Sequence, residues 1–243
     1  MKWAFLGTDE FAVKVLEELA NKYRLKPDLL VTTPGNSPAR RWAERAGIAC
    51  IQPEKLKPEA SQLASYSLFV VASYGKILPA ELLELPHYGT LNLHPSLLPK
   101  YRGPAPIQSA LLAGEAETGV SLMLLDAEMD HGPILATAGY DLATGKKYPE
   151  VRNDLAVLGA KLLADTLPAW LAGEITPQAQ DHTQATYTKK IKTEDGLIKL
   201  TGDPALNWRT FRALSPEPGI YFFTENNKRV KIAIARFLDN KFV

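Results

Sequence analysis

The sequence predicts an α/β protein: an open, mostly parallel, doubly wound Rossmann-like sheet with a small, incomplete helix-plus-hairpin appendage at its C-terminal end. Three observations predict it. Short apolar runs alternate with helical patterns, the order that builds a sheet covered by helices. One run, Ser67-Leu-Phe-Val-Val-Ala-Ser73, is apolar almost throughout, as a strand buried on both faces must be. With 243 residues, 46% of them hydrophobic, the chain is long enough to bury about 70% of its extended surface. Disorder is thereby excluded as the main state, and the single Cys50 excludes a disulfide scaffold. No apolar run approaches the ~18 residues of a membrane span, so the reading is a cytoplasmic protein without a membrane partner.

The elements follow in order. Trp3–Leu6 is a strand, Gly7-Thr8-Asp9 a turn, and Phe11, Val15, Leu16 and Leu19 recur at helical spacing behind a cap from Thr8 or Asp9. Leu29–Thr32 is a second strand, ended by the turn signals Thr33-Pro-Gly-Asn-Ser-Pro38; a helix over Ala39–Ala46 and a strand over Ile48–Ile51 come next. After the buried run 67–73, the loop 74–79 leads to a short helix, then to the strand Thr90-Leu-Asn-Leu-His94. The stretch 94–106 is too rich in Pro and Gly for regular structure. Gln108–Leu112 is helical, Val120–Leu125 and Ile134–Tyr140 are strands, and Pro149–Leu171 is a long helix.

A body over 1–185, a linker over 186–203 and an appendage over 204–243 describe the organisation. In the appendage Trp208, Phe211 and Leu214 mark a helix, and two strands flank Glu225-Asn-Asn-Lys228 as a hairpin. One helix and two strands are not independently stable, so this part must lean on the body or on a partner. Residues 1–185 carry a net charge of −4 (17 Lys/Arg, 21 Asp/Glu) and residues 186–243 one of +5 (11 and 6). The basic tail suits a polyanion, or is the ordinary fluctuation of a small segment.

The four histidines lack metal-ligand spacing and one cysteine completes no zinc cluster, so no metal site is expected. Gly7 stands without the further glycines of a dinucleotide loop, which argues against NAD and ATP. What remains is Asn92-x-His94 at a strand's carboxyl end and Asp130 in Met129-Asp-His-Gly-Pro133. Alternation puts Asn92 and His94 on one face. An amide beside an imidazole can stabilise a developing oxyanion, and a carboxylate can orient the imidazole or take a proton. No Ser or Cys pairs with the histidine as nucleophile, so direct acyl transfer between two bound substrates is the chemistry suggested. The same residues also serve as a structural histidine, a turn asparagine and a capping aspartate, and the residues alone leave both readings open.

Asn92-Leu-His-Pro-Ser-Leu-Leu-Pro-Lys-Tyr-Arg-Gly103 and Asp130-His-Gly-Pro-Ile134 resemble the signatures of folate-dependent formyltransferases. Phe5–Thr8, Ser73–Pro79, Ala105–Gln108, Thr118–Val120, Ala185–Tyr187 with Lys190, and Glu194–Gly196 are similar to the tRNA-directed branch of that family. The resemblance implies a catalytic role for Asn92, His94 and Asp130, and a folate-contacting loop at Ser96, Leu97, Leu98 and Pro99. It implies 10-formyltetrahydrofolate as donor co-substrate, initiator methionyl-tRNA as acceptor, no metal and a monomer. Arg40, Arg41, Arg45, Lys189 and Lys190 are the candidate tRNA contacts; the arginines equally suit a solvated helix face. The chain departs from the family's pattern in its short loop after the second strand, in a tail of two strands where an OB-type barrel needs about five, and at Glu128, a common glycine position. Formyl transfer to a nucleotide-linked amino sugar by the same residues is the alternative acceptor, and a folate- or RNA-binding protein without turnover the non-enzymatic one.

Overall fold

The computed structural model describes residues 1–56 and 60–243. Five parallel strands, β1 (Trp3–Gly7), β2 (Leu29–Val31), β3 (Ala49–Ile51), β4 (Leu68–Ala72) and β5 (Thr90–His94), continue into antiparallel β6 (Glu117–Leu124) and β7 (Ile134–Asp141). The sheet order is β3-β2-β1-β4-β5-β6-β7. The chain winds outward from β1 to β3 and then returns to place β4 beside β1, which opens a crevice at their carboxyl ends. Helices α1 (Glu10–Lys22), α2 (Pro38–Ala46), α3 (Ala60–Leu63), α4 (Ala80–Leu83), α5 (Pro106–Ala113) and α6 (Tyr148–Leu171) connect and cover the strands. The mostly parallel α/β sheet is the one the sequence predicts, with β6 and β7 as the antiparallel edge.

Strand alternation divides the core in two. Trp3, Phe5, Leu68, Val70, Leu91 and Leu93 face α1, α5 and α6, whereas Ala4, Leu6, Phe69 and Val71 face α3 and α4 through Leu63 and Leu82. Asn92 and His94 alternate with Leu91 and Leu93, so they stand on the face opposite the larger core. Asp9 caps α1 by accepting from the Phe11 and Ala12 amides, and Ser37 caps α2 through the Arg40 amide.

The segment 186–203 is tied down rather than extended: Thr188 N donates to Arg102 O, and Ile198 N donates to Tyr221 O. Helix α7 (Pro204–Leu214) buries Phe211, Ala213 and Leu214 in the larger core. The Arg212 guanidinium donates to the Leu142 and Lys146 carbonyls. The tail holds two hairpins, not the single one expected: β8 (Ile220–Phe223) with β9 (Arg229–Ile232), and β10 (Phe237–Leu238) with β11 (Lys241–Phe242). Two-residue strands carry no alternation to detect; Phe237 and Phe242 instead pack their rings on Trp208 and Phe211 of α7.

The start of α6 is held by a charge cluster in which Lys146 Nζ and Tyr140 OH both donate to Asp154 Oδ2 at 2.6 Å. Burial works to raise the Asp154 carboxyl, but the hydrogen bonds from Lys146 and Tyr140 outweigh it and hold the group below the usual carboxylate range. A folded-state value below the unfolded one stabilises the fold above about pH 4 and ceases to do so as pH falls through the folded value. Asp154→Asn is therefore expected to cost at most about 1 kcal/mol at neutral pH, given the exposure of the pair, and nothing once the pH lies below the folded-state value. Urea unfolding of both chains at neutral pH and below that value checks this.

Candidate active site

A cleft of about 700 Å³ opens at the carboxyl ends of β1, β4 and β5, on the side predicted. Asn92 and His94 project into it from the end of β5, and Asp130 from the loop between β6 and β7. The three converge: Asp130 Oδ1 lies 3.5 Å from Asn92 Nδ2 and 3.5 Å from His94 Nδ1. All are withdrawn from bulk water, with Asn92 8% and His94 4% exposed.

The histidine's tautomer follows from its surroundings. His94 Nε2 faces the Tyr101 carbonyl at 3.0 Å, and a carbonyl only accepts, so Nε2 carries a hydrogen. Nδ1 is then the nitrogen facing Asp130, and a proton between the two makes that contact favourable. The other carboxylate oxygen, Oδ2, accepts from Gly103 N at 2.7 Å. The segment 101–103 thus orients both groups, through a carbonyl on one side and an amide on the other. It does so with positive φ at Tyr101 (62°) and Gly103 (107°), and Asp130 is itself left-handed at 50°. Non-glycine residues in that region are strained, so other contacts must hold them there.

Ser96, Leu97, Leu98 and Pro99 do not line the cleft. Ser96 is fully buried, with its hydroxyl donating to Lys100 O, and Ser121 Oγ bridges Ser96 O and Leu98 N. These residues build the turn that follows His94. The basic residues are spread out. Arg40 pairs with Glu44 along α2, while Arg41 and Arg45 line a separate polar cleft with Lys14, Glu10, Glu17 and Arg152. Lys190 lines the main cleft, as does Arg152, and Lys189 is exposed beside it. Glu128 reaches the cleft's rim with its side chain 76% exposed, so it leaves the interior open.

Several residues at the site are not among the candidates named from the sequence. Gln180 donates through Nε2 to the Asp130 and Gly132 carbonyls, and the buried Arg102 holds its Oε1. His131 stacks on His182 with ring centroids 4.0 Å apart. Tyr148 lines the cleft; burial, then the nearby Asp9 carboxylate, pushes its hydroxyl above the usual tyrosine range. Tyr74 also lines it, with a buried hydroxyl that has no hydrogen-bond partner among the described residues; burial pushes that hydroxyl up to about 12. Among the described residues no group of three or more His, Cys, Asp or Glu is placed to hold a metal ion, and no helix is long and apolar enough to cross a membrane.

Fold and site together define an α/β enzyme whose ligand cleft lies at the point where the sheet's winding reverses, with an amide, an imidazole and a carboxylate converging on its wall. The chain belongs to the formyl transferase family: the family's own domain matches residues 1–167 and its C-terminal domain matches residues 190–242. Methionyl-tRNA formyltransferase of Roseiflexus sp. (strain RS-1) is 40% identical over 233 residues, covering 90% of this chain and 72% of that one. The protein of the same name from Thermus thermophilus is 39% identical over 243 residues, covering 95% and 78%. Similar solved structures include a 4-N formyltransferase from Francisella tularensis, with TM-score 0.78, 20% identity, and 96% and 97% of the two chains covered. HypX from Aquifex aeolicus in complex with tetrahydrofolic acid aligns with TM-score 0.72 at 19% identity, over 97% of this chain and 38% of that one. At such identities the structures speak for the shared fold.

Proposed function

We propose that this chain transfers the formyl group of 10-formyltetrahydrofolate to the amino group of methionine on initiator methionyl-tRNA, in the cytoplasm. The observation that carries the reading is the convergence of Asn92, His94 and Asp130 within 3.5 Å on the wall of the cleft. The names of the relatives at about 40% identity support the acceptor.

The cleft fits the donor: Val71, Leu78, Leu83 and Leu125 offer apolar walls for a flat ring system, and Arg152 and Lys190 offer charge to a carboxylate. The folate supplies an activated formyl group. Asn92 Nδ2 is placed to donate to the carbonyl oxygen as it gathers negative charge, with the imidazole beside it adding positive charge. Asp130, within reach of both, holds the proton of the imidazole or receives the one the amine must lose. The bond from the amine nitrogen to the formyl carbon forms while the bond to N10 breaks, and the proton lost by the amine balances the one N10 gains. Ser96, Leu97, Leu98 and Pro99 fix the turn that carries His94 and form the loop we assign to contact with the folate. Incubation with 10-formyltetrahydrofolate and charged initiator tRNA should yield formylmethionine at the tRNA's 3′ end; no formylated methionine at any enzyme concentration would contradict the reading.

Arg41, Arg45, Lys189 and Lys190, lying near the two clefts, are the groups we assign to acceptor phosphates, with Arg40 withdrawn by its Glu44 pair. Arg41→Ala with Arg45→Ala is expected to raise KM for methionyl-tRNA about tenfold with kcat little changed. The slope of log KM against log salt should flatten by about one to two, as each lost phosphate contact releases fewer counterions. An unchanged slope would remove these arginines from the interface.

A further inference from the structure

Arg102 is 1% exposed, and among the described residues its guanidinium has no carboxylate within ion-pair distance. A buried charge without a counter-ion is costly, so its neighbours must repay it by other means. They are Gln180 Oε1, which accepts from Nε at 3.2 Å and Nη2 at 2.6 Å, and His182 Nδ1, which accepts from Nη2 at 2.9 Å. Tyr187 lies against Nη1 at 3.4 Å, with its ring 5.9 Å from the guanidinium carbon. The arrangement leaves the Gln180 amide only one orientation. A guanidinium only donates, so Oε1 must face it, and Nε2 is thereby turned to the carbonyls of Asp130 at 3.0 Å and Gly132 at 2.7 Å.

We infer that Gln180, set in place by Arg102, is a positioning residue for the reaction: it holds the left-handed turn at Asp130 that brings the carboxylate to His94 and Asn92. Neither side chain is assigned to touch substrate. Arg102 acts on the pair from both sides, because its neighbours Tyr101 and Gly103 make the backbone contacts to His94 and Asp130. Its own backbone is pinned to the 186–188 segment by Arg102 N to Thr186 O at 2.8 Å and Thr188 N to Arg102 O at 2.7 Å. A charged anchor buried on the Gln180 amide and the His182 ring thus couples three loops that meet at the site: 100–103, 126–132 and 180–188.

Gln180→Glu separates this role from plain stability. The carboxylate would keep and strengthen the contact to Arg102, but it has no hydrogen to give the Asp130 and Gly132 carbonyls and repels them. The inference rests on the formyl-transfer reading and deepens it. Gln180→Glu is expected to unfold at or above the parent's temperature, while kcat falls about 10- to 100-fold and KM for 10-formyltetrahydrofolate changes less than about threefold. Gln180→Met, close in shape and unable to donate, should show the same fall in kcat with KM little changed, but at a lower unfolding temperature because Arg102 loses its acceptor; measured where it remains folded, it gives the kinetic result independently should the glutamate variant fold poorly. A kcat for both variants within about twofold of the parent would overturn the inference and leave formyl transfer standing. A parent chain with no transfer at all would remove both.

Discussion

Replacing His94 or Asn92 with alanine is expected to lower turnover by about two to three orders of magnitude, with the fold left intact. In the proposed mechanism each group stabilises charge that develops only in the transition state, and removing one such donor from a dry site typically costs about 3–4 kcal/mol of barrier. His94 and Asn92 are nearly buried at the strand's end, yet they stand opposite the larger core, so truncation removes little apolar packing. His94→Ala further leaves the Tyr101 carbonyl and the Asp130 carboxylate without their shared neighbour. Single-turnover rates at saturating substrates, read beside thermal unfolding, check this. A variant retaining turnover within about threefold would show that the amide–imidazole pair does not carry the chemistry.

Gly132→Ala is the second change with a large expected effect, and it acts through space rather than chemistry. A methyl group at this position would overlap the Leu124 carbonyl oxygen, which is backbone and cannot swing aside. The loop carrying Asp130 must then move off the end of β6, stretching the Leu124 N to Pro133 O bond and the Gln180 contact. Overpacking of this kind costs about 3 kcal/mol, or roughly 6–12 °C in Tm for a chain of this size. At temperatures where the variant remains folded, kcat should still fall about 100-fold, since a displacement of about 1 Å suffices for that. Parent-like kcat in the folded variant would mean that the loop's position is not what activates Asp130.

What could be read from the sequence was what local order encodes. The runs in β1 and β4 are apolar because both faces are covered, and the period-two alternation of β5 put Asn92 and His94 on one face. Asp130 was legible through its motif. Gln180 and His182 were not, because they sit in a polar stretch without periodicity and acquire meaning only when it folds back across the cleft. Arg102 stood in the motif that contains His94 without a role of its own, and only packing shows it to be among the largest fully buried side chains of the described residues. The loop 96–99 was legible as a candidate through the motif that contains His94, whereas the hold of Ser121 and Lys100 on its polar atoms emerges only when the chain folds. The second tail hairpin escaped because its strands are two residues long and are held by ring packing on α7.

The choice of acceptor is the central claim, and a single-turnover measurement tests it most directly. With 10-formyltetrahydrofolate bound at saturation, the formyl-transfer rate is followed with charged initiator methionyl-tRNA and, in parallel, with a nucleotide-linked amino sugar. Formylmethionine on the tRNA is the expected product, with transfer to the sugar slower by orders of magnitude. Transfer to the sugar alone would contradict the claim, leaving the cluster of Asn92, His94 and Asp130 at work on a different amine.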